Sequence, residues 1–235
     1  MSKAAHLMMV GARDEGSVKG DDFYASPPSA VHALCRVERF DGPIWEPACG
    51  DGAISRVLSE HGNDVVSTDL VERGFGRGHI DFLMEYTTMA PNIVTNPPYK
   101  IADQFAAHAV SLATSKVAFL MRLVWLAGQR RRRMFESTHL ARVWVFSARI
   151  PRMHRHGYVG PTTTSTIDFA WFVWDRVHIG PPTIGWLSSA PSRDGAHDLG
   201  VSPRAAAGCP TGSFPPSTSP SGPLHPPMRD RAAAF

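Results

Sequence analysis

Pro43-Ile44-Trp45-Glu46-Pro47-Ala48-Cys49-Gly50-Asp51-Gly52-Ala53-Ile54 is the stretch on which the fold turns. Its apolar start reads as a short buried strand over 43–47. Small residues and two glycines then permit a tight turn with positive φ, and Ile54, Val57 and Leu58 share one face of a helix over 53–61. The same alternation repeats downstream. Strands are expected over 64–70 (ending in Asp69), 80–83, 92–95, 117–126, 142–148 and 169–174, and helices over 101–113 and 127–138. Upstream, Ser29 stands as N-cap of a helix over 29–39 whose Val31, Leu34, Cys35 and Val37 line one side. Strands alternating with helices predict an α/β fold with a mostly parallel seven-stranded sheet. No helical pattern separates 142–148 from 169–174, so this pair is expected to close the sheet as a C-terminal antiparallel hairpin. The Gly-rich turn then lies at the carboxyl end of its strand, where open α/β sheets bind ligands.

With 235 residues, 43% hydrophobic and 19% charged, the chain suits one buried core. No apolar run approaches the roughly 20 residues that cross a bilayer, so no membrane partner is expected, and residues 1–20 lack the apolar stretch of a signal peptide. Cys35, Cys49 and Cys209 have neither metal-ligand nor disulfide spacing, which suits a reducing compartment such as the cytoplasm and argues against zinc. The expected organisation is a loose arm over 1–20, a folded domain over 21–187 and a disordered tail over 188–235. That tail holds 9 of the 20 prolines and only two aromatics, Phe214 and Phe235, too little apolar surface to offset chain entropy.

The net charge of +3 conceals an asymmetry. Residues 1–115 carry 9 Lys and Arg against 15 Asp and Glu, whereas residues 116–156 carry 10 Lys and Arg against Glu136 alone. Arg130 to Arg133 taken singly read equally as the solvated face of a helix. A segment so rich in positive charge nevertheless matches what a phosphate backbone selects.

Asn92-Ile93-Val94-Thr95 leads into Asn96-Pro97-Pro98-Tyr99, 44 residues beyond Gly52. In that order, each after a strand, Glu46 to Gly52 and Asn96 to Tyr99 resemble the S-adenosylmethionine-dependent enzymes that methylate N6 of adenine in DNA, in a small form of phage or mobile-element type. The resemblance covers roughly 20–186 and implies a single Rossmann-like class I methyltransferase domain that binds S-adenosyl-L-methionine. It implies that Glu46, Pro47, Ala48, Gly50, Asp51 and Gly52 hold the donor, with the helix N-terminus favouring its carboxylate. Asp69 would accept from ribose hydroxyls, with Glu72 as its rival. Asp81 and Phe82 either receive the donor's adenine ring or act as a helix cap and a core aromatic. Asp22-Phe23-Tyr24-Ala25-Ser26-Pro27 resembles the family segment that closes over the methionine part, with Tyr24, Ser26 and Pro27 as its contacts and Ser26 in place of the usual Thr. Cys49 reads as small packing and not as a nucleophile.

For the acceptor, the resemblance implies that the Asn96 side-chain oxygen and the Pro97 carbonyl draw the amino N–H bonds out of conjugation, after which the nitrogen attacks the methyl in line; Asn96 also counts among the donor-binding residues. Pro97 and Pro98 stiffen the turn and Tyr99 stacks on the base. A base in a duplex must first be flipped out. Arg130, Arg131, Arg149, Arg152 and Arg155 are the candidate DNA contacts, with Tyr158 a candidate to pack on the flipped base; residues 149–167 read otherwise as a solvated hairpin loop, and His154 and His156 as phosphate contacts or surface residues. Trp125, Trp144, Trp171 and Trp174 are expected in the core. The expected partner is double-stranded DNA, with RNA less favoured, for a monomer or weak dimer. An RNA base methyltransferase, or a silent donor- or DNA-binding subunit, are the other readings. No stretch is left for a separate target-recognition domain, so a short or relaxed target sequence, or a partner subunit, is expected.

Overall fold

The computed structural model describes residues 23–153 and 164–188. Seven strands among them form one sheet: β1 (Ile44–Glu46), β2 (Val65–Ser67), β3 (Asn92–Thr95), β4 (Lys116–Arg122), β5 (Leu140–Phe146), β6 (Phe169–Asp175) and β7 (Thr183–Leu187). Their order is β2-β1-β3-β4-β6-β5-β7. The first four in that order run parallel; β6 is antiparallel to both β4 and β5, and β7 is parallel to β5. Four helices flank the sheet: α1 (Pro28–Val37), α2 (Ala53–Glu60), α3 (Ala102–Leu112) and α4 (Gln129–Ser137).

Side chains alternate strictly between two cores, as the pleat requires. Along β4, Val117, Phe119 and Met121 join Phe105, Ala106 and Ala109 of α3 and Phe135 of α4. Ala118 and Leu120 point the other way, to Val31 and Leu34 of α1 and Ile54, Val57 and Leu58 of α2. β6 lies between β4 and β5, and every one of its residues is buried. That position explains why Phe169-Ala170-Trp171-Phe172-Val173-Trp174 is continuously apolar: a strand covered on both faces has no polar side.

Seven strands are present, but not the expected seven. Residues 80–83 do not pair; a 3-10 turn over Phe82–Met84 takes their place, capped by Asp81, whose Oδ1 accepts the Leu83 N–H at 3.0 Å. The strand that completes the count is β7, at the sheet edge. It is short, Gly185 interrupts it, and its apolar Ile184 and Trp186 are exposed, so its apolar residues do not mark a buried face. A Cβ there would lie 2.1 Å from Cζ3 of Trp144, so glycine is what lets the indole rest against the strand. Trp144 is therefore half-buried rather than core, while Trp125, Trp171 and Trp174 are buried. β4 stops at Arg122 and continues as a 3-10 turn over Leu123–Leu126, in which Trp125 donates to Asp103 Oδ1 at 2.9 Å. Ser29 does not cap α1. Pro27 holds the N-cap position and Pro28 opens the helix with its φ already set, leaving Ser29 inside the first turn.

The basic segment is less free than its composition implies, because its partners come from elsewhere in the chain. Arg142 pairs with Glu38 and with Asp175 (2.9 Å), Lys116 with Glu38 (3.2 Å), and Arg149 with Asp168 (3.6 Å). No helix of the described residues is long and apolar enough to cross a membrane. The arm over 1–20 and the tail over 188–235 lie outside the described residues, apart from Ser188.

Candidate active site

The turn after β1 is shaped from beneath by a buried carboxyl group. Glu46 is 1% exposed, accepts from the Ser55 hydroxyl, and Ser55 in turn lies 2.6 Å from Ser67 Oγ. Burial pushes the Glu46 carboxyl well above the usual range; the Ser55 bonds counter this in part, and the negative charges of Asp69 and Asp51 reinforce it. An acid with a raised pKa holds its proton more tightly when folded. Its contribution to stability is complete below the unfolded value of about 4.3 and is lost as pH rises through the folded value. Glu46→Gln keeps an acceptor for Ser55 and cannot ionise. It is expected to match the wild type near pH 4 and to exceed it at pH 8, measured by urea midpoints at both. A difference that does not change with pH would refute this.

Gly50 and Gly52 have φ of 58° and 85°. A Cβ on them would sit 2.1 Å from Phe23 and 2.4 Å from Phe75, so the turn has room for neither conformational nor steric substitution. Each of those rings carries a guanidinium, Arg73 over Phe23 at 4.6 Å and Arg56 over Phe75 at 4.5 Å. Asp69 braces the turn: its Oδ2 accepts the Gly50 N–H at 2.8 Å and its Oδ1 the Val71 N–H at 2.9 Å. The Gly52 N–H donates to the Cys49 carbonyl and the Ala53 N–H to Asp51 Oδ1. The Gly50, Gly52 and Ala53 amides are thus satisfied within the turn. Burial first, then the charges of Glu46 and Asp69, push the Cys49 thiol up to about 12, so it stays protonated and unreactive.

Above the turn lies a cavity of about 220 Å³. One wall is the turn itself with Glu46, Pro47, Ala48, Cys49 and Asp51. Asp69, Asp81 and Phe82 form a second side, Tyr24 and Ser26 cover it, and Asn96, Pro97, Pro98 and Tyr99 close it. Pro27, Gly50 and Gly52 do not line the cavity; they set the path of the residues that do. Glu72 turns away, its carboxylate accepting the Gly74 N–H at 2.8 Å. Phe82 is both core and lining: it packs edge-on against Trp45 at 5.1 Å and against Phe105 at 4.5 Å.

Asn96 sits where β3 ends, and its amide orientation is set by its neighbours. Nδ2 donates to the Tyr24 carbonyl at 3.3 Å and to Ser26 Oγ at 3.1 Å. A carbonyl can only accept, so the NH₂ must face Tyr24 and Oδ1 must face the other way. That oxygen is buried and has no hydrogen-bond partner among the described residues. A buried acceptor left unpaired costs roughly 1–3 kcal/mol. Tyr99 beside it lies near parallel to Tyr24, with centroids 6.4 Å apart, and beneath the Arg122 guanidinium at 4.9 Å. The Met153 sulfur touches both acceptor-turn side chains, 3.6 Å from Asn96 Nδ2 and 3.8 Å from the Tyr99 hydroxyl.

Arg130 and Arg131 lie on α4, away from the cavity lining, and Arg131 folds back onto the Ala127 carbonyl at 2.9 Å. Arg149 and Arg152 are exposed on the segment after β5. Arg155 and Tyr158 lie outside the described residues. Arg122 and Met153, which the sequence reading passed over, are brought to the acceptor turn by pairing of β4 with β3 and by the chain's return after β5.

A solved Listeria monocytogenes protein, provisionally assigned as a class I S-adenosylmethionine-dependent methyltransferase, superposes with a TM-score of 0.51 at 12% identity, over 79% of this chain and 71% of the other. The fold is that of the class I methyltransferases. At that identity the likeness is one of architecture. A modification subunit provisionally assigned to a type I restriction enzyme of Vibrio vulnificus gives a TM-score of 0.48 at 14% identity, over 81% of this chain but 51% of that one. A provisionally assigned RNA methyltransferase of Pyrococcus horikoshii gives 0.49 at 13%, over 75% and 100%. No protein-family model and no curated protein sequence matches the chain.

Proposed function

We propose that this chain transfers a methyl group from S-adenosylmethionine to the N6 amino group of adenine in DNA. The observation that carries the proposal is the buried, unpartnered Oδ1 of Asn96, a residue that lines one cavity together with the Gly-rich turn. The lining suits the donor. Asp51, Asp69 and Asp81 offer negative charge and acceptors to a ligand with a sulfonium, an ammonium and ribose hydroxyls. Both Asp69 oxygens take backbone N–H bonds, and each retains a second lone pair for a hydroxyl. When bound, S-adenosylmethionine supplies an electrophilic methyl on a positively charged sulfur.

The remaining chemistry falls to the chain. The adenine amino nitrogen is a poor nucleophile because its lone pair is delocalised into the ring. Asn96 Oδ1 accepts one of its N–H bonds and the Pro97 carbonyl the other, which turns the lone pair out of conjugation. Pro97 and Pro98 fix that carbonyl, and the Tyr24 and Ser26 bonds to Nδ2 fix the amide plane, so both acceptors are preorganised. Tyr24 and Ser26 thus couple the covering segment to the acceptor: closing it positions Asn96. Holding the two reactants in one small cavity supplies much of the acceleration.

Purified protein, labelled S-adenosylmethionine and unmethylated double-stranded DNA should yield labelled N6-methyladenine on nucleoside analysis. Label confined to RNA or protein, or found on cytosine, would sink this reading.

A further inference from the structure

We infer that Arg122 grips a backbone phosphate of the nucleic acid acceptor at the mouth of the cleft, with Lys100 and Arg152 flanking it. This rests on the nucleic-acid reading above and adds a specific anchoring surface to it. Arg122 ends β4, the neighbour of the strand that carries Asn96, and its guanidinium lies 4.9 Å over the Tyr99 ring. A guanidinium held over a ring face keeps its N–H edge free for a bidentate anion.

Charge pairing separates it from part of the segment, and its place over Tyr99 separates it from Arg130, Arg131 and Arg133, which also form no ion pair among the described residues but lie on α4. Lys116, Arg132, Arg142 and Arg149 each have a carboxylate within ion-pair distance. Arg122 is exposed and forms no ion pair among the described residues, and the same holds for Lys100, which follows Tyr99, and for Arg152, which precedes Met153. Arg122 thus lies over Tyr99 while Lys100 and Arg152 adjoin Tyr99 and Met153 in the chain, whereas the same cavity lining carries Asp51, Asp69 and Asp81 against the single cation Arg73, 3.9 Å from Asp69. One cleft has an acidic end for a cationic donor and a basic end for a polyanionic acceptor. A neutral amide substrate would make no use of the basic end; a phosphodiester flanking an extruded base would.

The test measures binding of the full chain to a random-sequence duplex, with S-adenosylmethionine present, across a salt series, and turnover on unmethylated DNA. Arg122→Gln should reduce the slope of log binding constant against log salt by about 1. It should also raise KM for DNA about tenfold while leaving donor affinity within about twofold, and Arg122→Lys should restore the slope. Methylation of DNA by the wild type with an unchanged slope and KM in Arg122→Gln overturns the phosphate role and leaves the DNA reading intact. Label appearing in RNA only, with the same loss of slope on RNA, removes the DNA reading and upholds the phosphate role. No salt-dependent binding to either nucleic acid overturns it.

Discussion

Replacing Asn96 with alanine is expected to lower turnover on DNA by about 10²–10³, the size of effect seen when one preorganised charge-stabilising group is removed from an active site. Donor affinity should fall no more than a fewfold, because the donor half of the cavity rests on Asp69, Asp51 and the Gly-rich turn, none of which Asn96 touches. The substitution deletes both functions of the amide: the buried, unpartnered Oδ1 acceptor, and the Nδ2 bonds to Tyr24 and Ser26. Asn96→Asp separates them. It keeps an acceptor oxygen but sets a carboxylate against the Tyr24 carbonyl, so its turnover should lie between wild type and alanine. Initial rates with labelled donor, and equilibrium titration of donor binding, check both variants. Retention of a third or more of the wild-type rate in Asn96→Ala would remove Asn96 from its assigned place.

The largest stability effect is expected at the other end of β4. Glu38 is 4% exposed and takes four donors: Arg142 Nε, Arg142 Nη2 at 3.0 Å, Lys116 Nζ at 3.2 Å and Trp144 Nε1 at 2.9 Å. Glu38→Ala leaves Arg142 and Lys116 to share Asp175 (2.9 and 3.8 Å) and leaves an indole N–H without its partner. Breaking a buried pair from one side costs roughly 3–5 kcal/mol, because the remaining charge is not rehydrated. Denaturant unfolding at pH 7 should show a loss of that order, with activity per folded molecule preserved, since this network lies at the opposite end of β4 from Arg122 and the acceptor turn. A loss below about 1 kcal/mol, the range of exposed ion pairs, would mean that water reaches the network.

Asp175, also in this network, adds an acid limb. Desolvation acts to raise its carboxyl, but hydrogen bonds from Arg142 and the Val177 N–H and the charges of Lys116 and Arg142 hold it below its ordinary value. A depressed carboxyl contributes stability above its unfolded value of about 3.9, and that contribution disappears as pH falls through the folded value.

Much of the site could be read directly. Glu46 to Gly52 and Asn96 to Tyr99 are contiguous strings whose turns follow from glycine and proline chemistry, and β3 matches its expected limits, 92–95. Other elements shifted for identifiable reasons. Ile80 to Leu83 alternates weakly enough to pass for a strand, yet the Asp81 carboxylate bonds the Leu83 N–H two residues on and curls the backbone instead. β7 has one buried residue of five; its Ile184 and Trp186 are exposed at the sheet edge and Gly185 breaks the run, so neither length nor period marks it as a strand. Cys49 behaves as the small packing residue it was read to be.

From composition and local spacing alone came the α/β class, the two turns and the residue types on them, since each depends on interactions among residues close in the chain. Tertiary structure alone decided the insertion of β6 between β4 and β5, the placement of Arg122 and Met153 at the acceptor turn, and which arginines keep their charge for a partner. Glu38 and Arg142 lie 104 positions apart, and Asn96 and Tyr24 lie 72 apart. Pairings over such separations follow from how the sheet buries both its faces, which no local periodicity encodes.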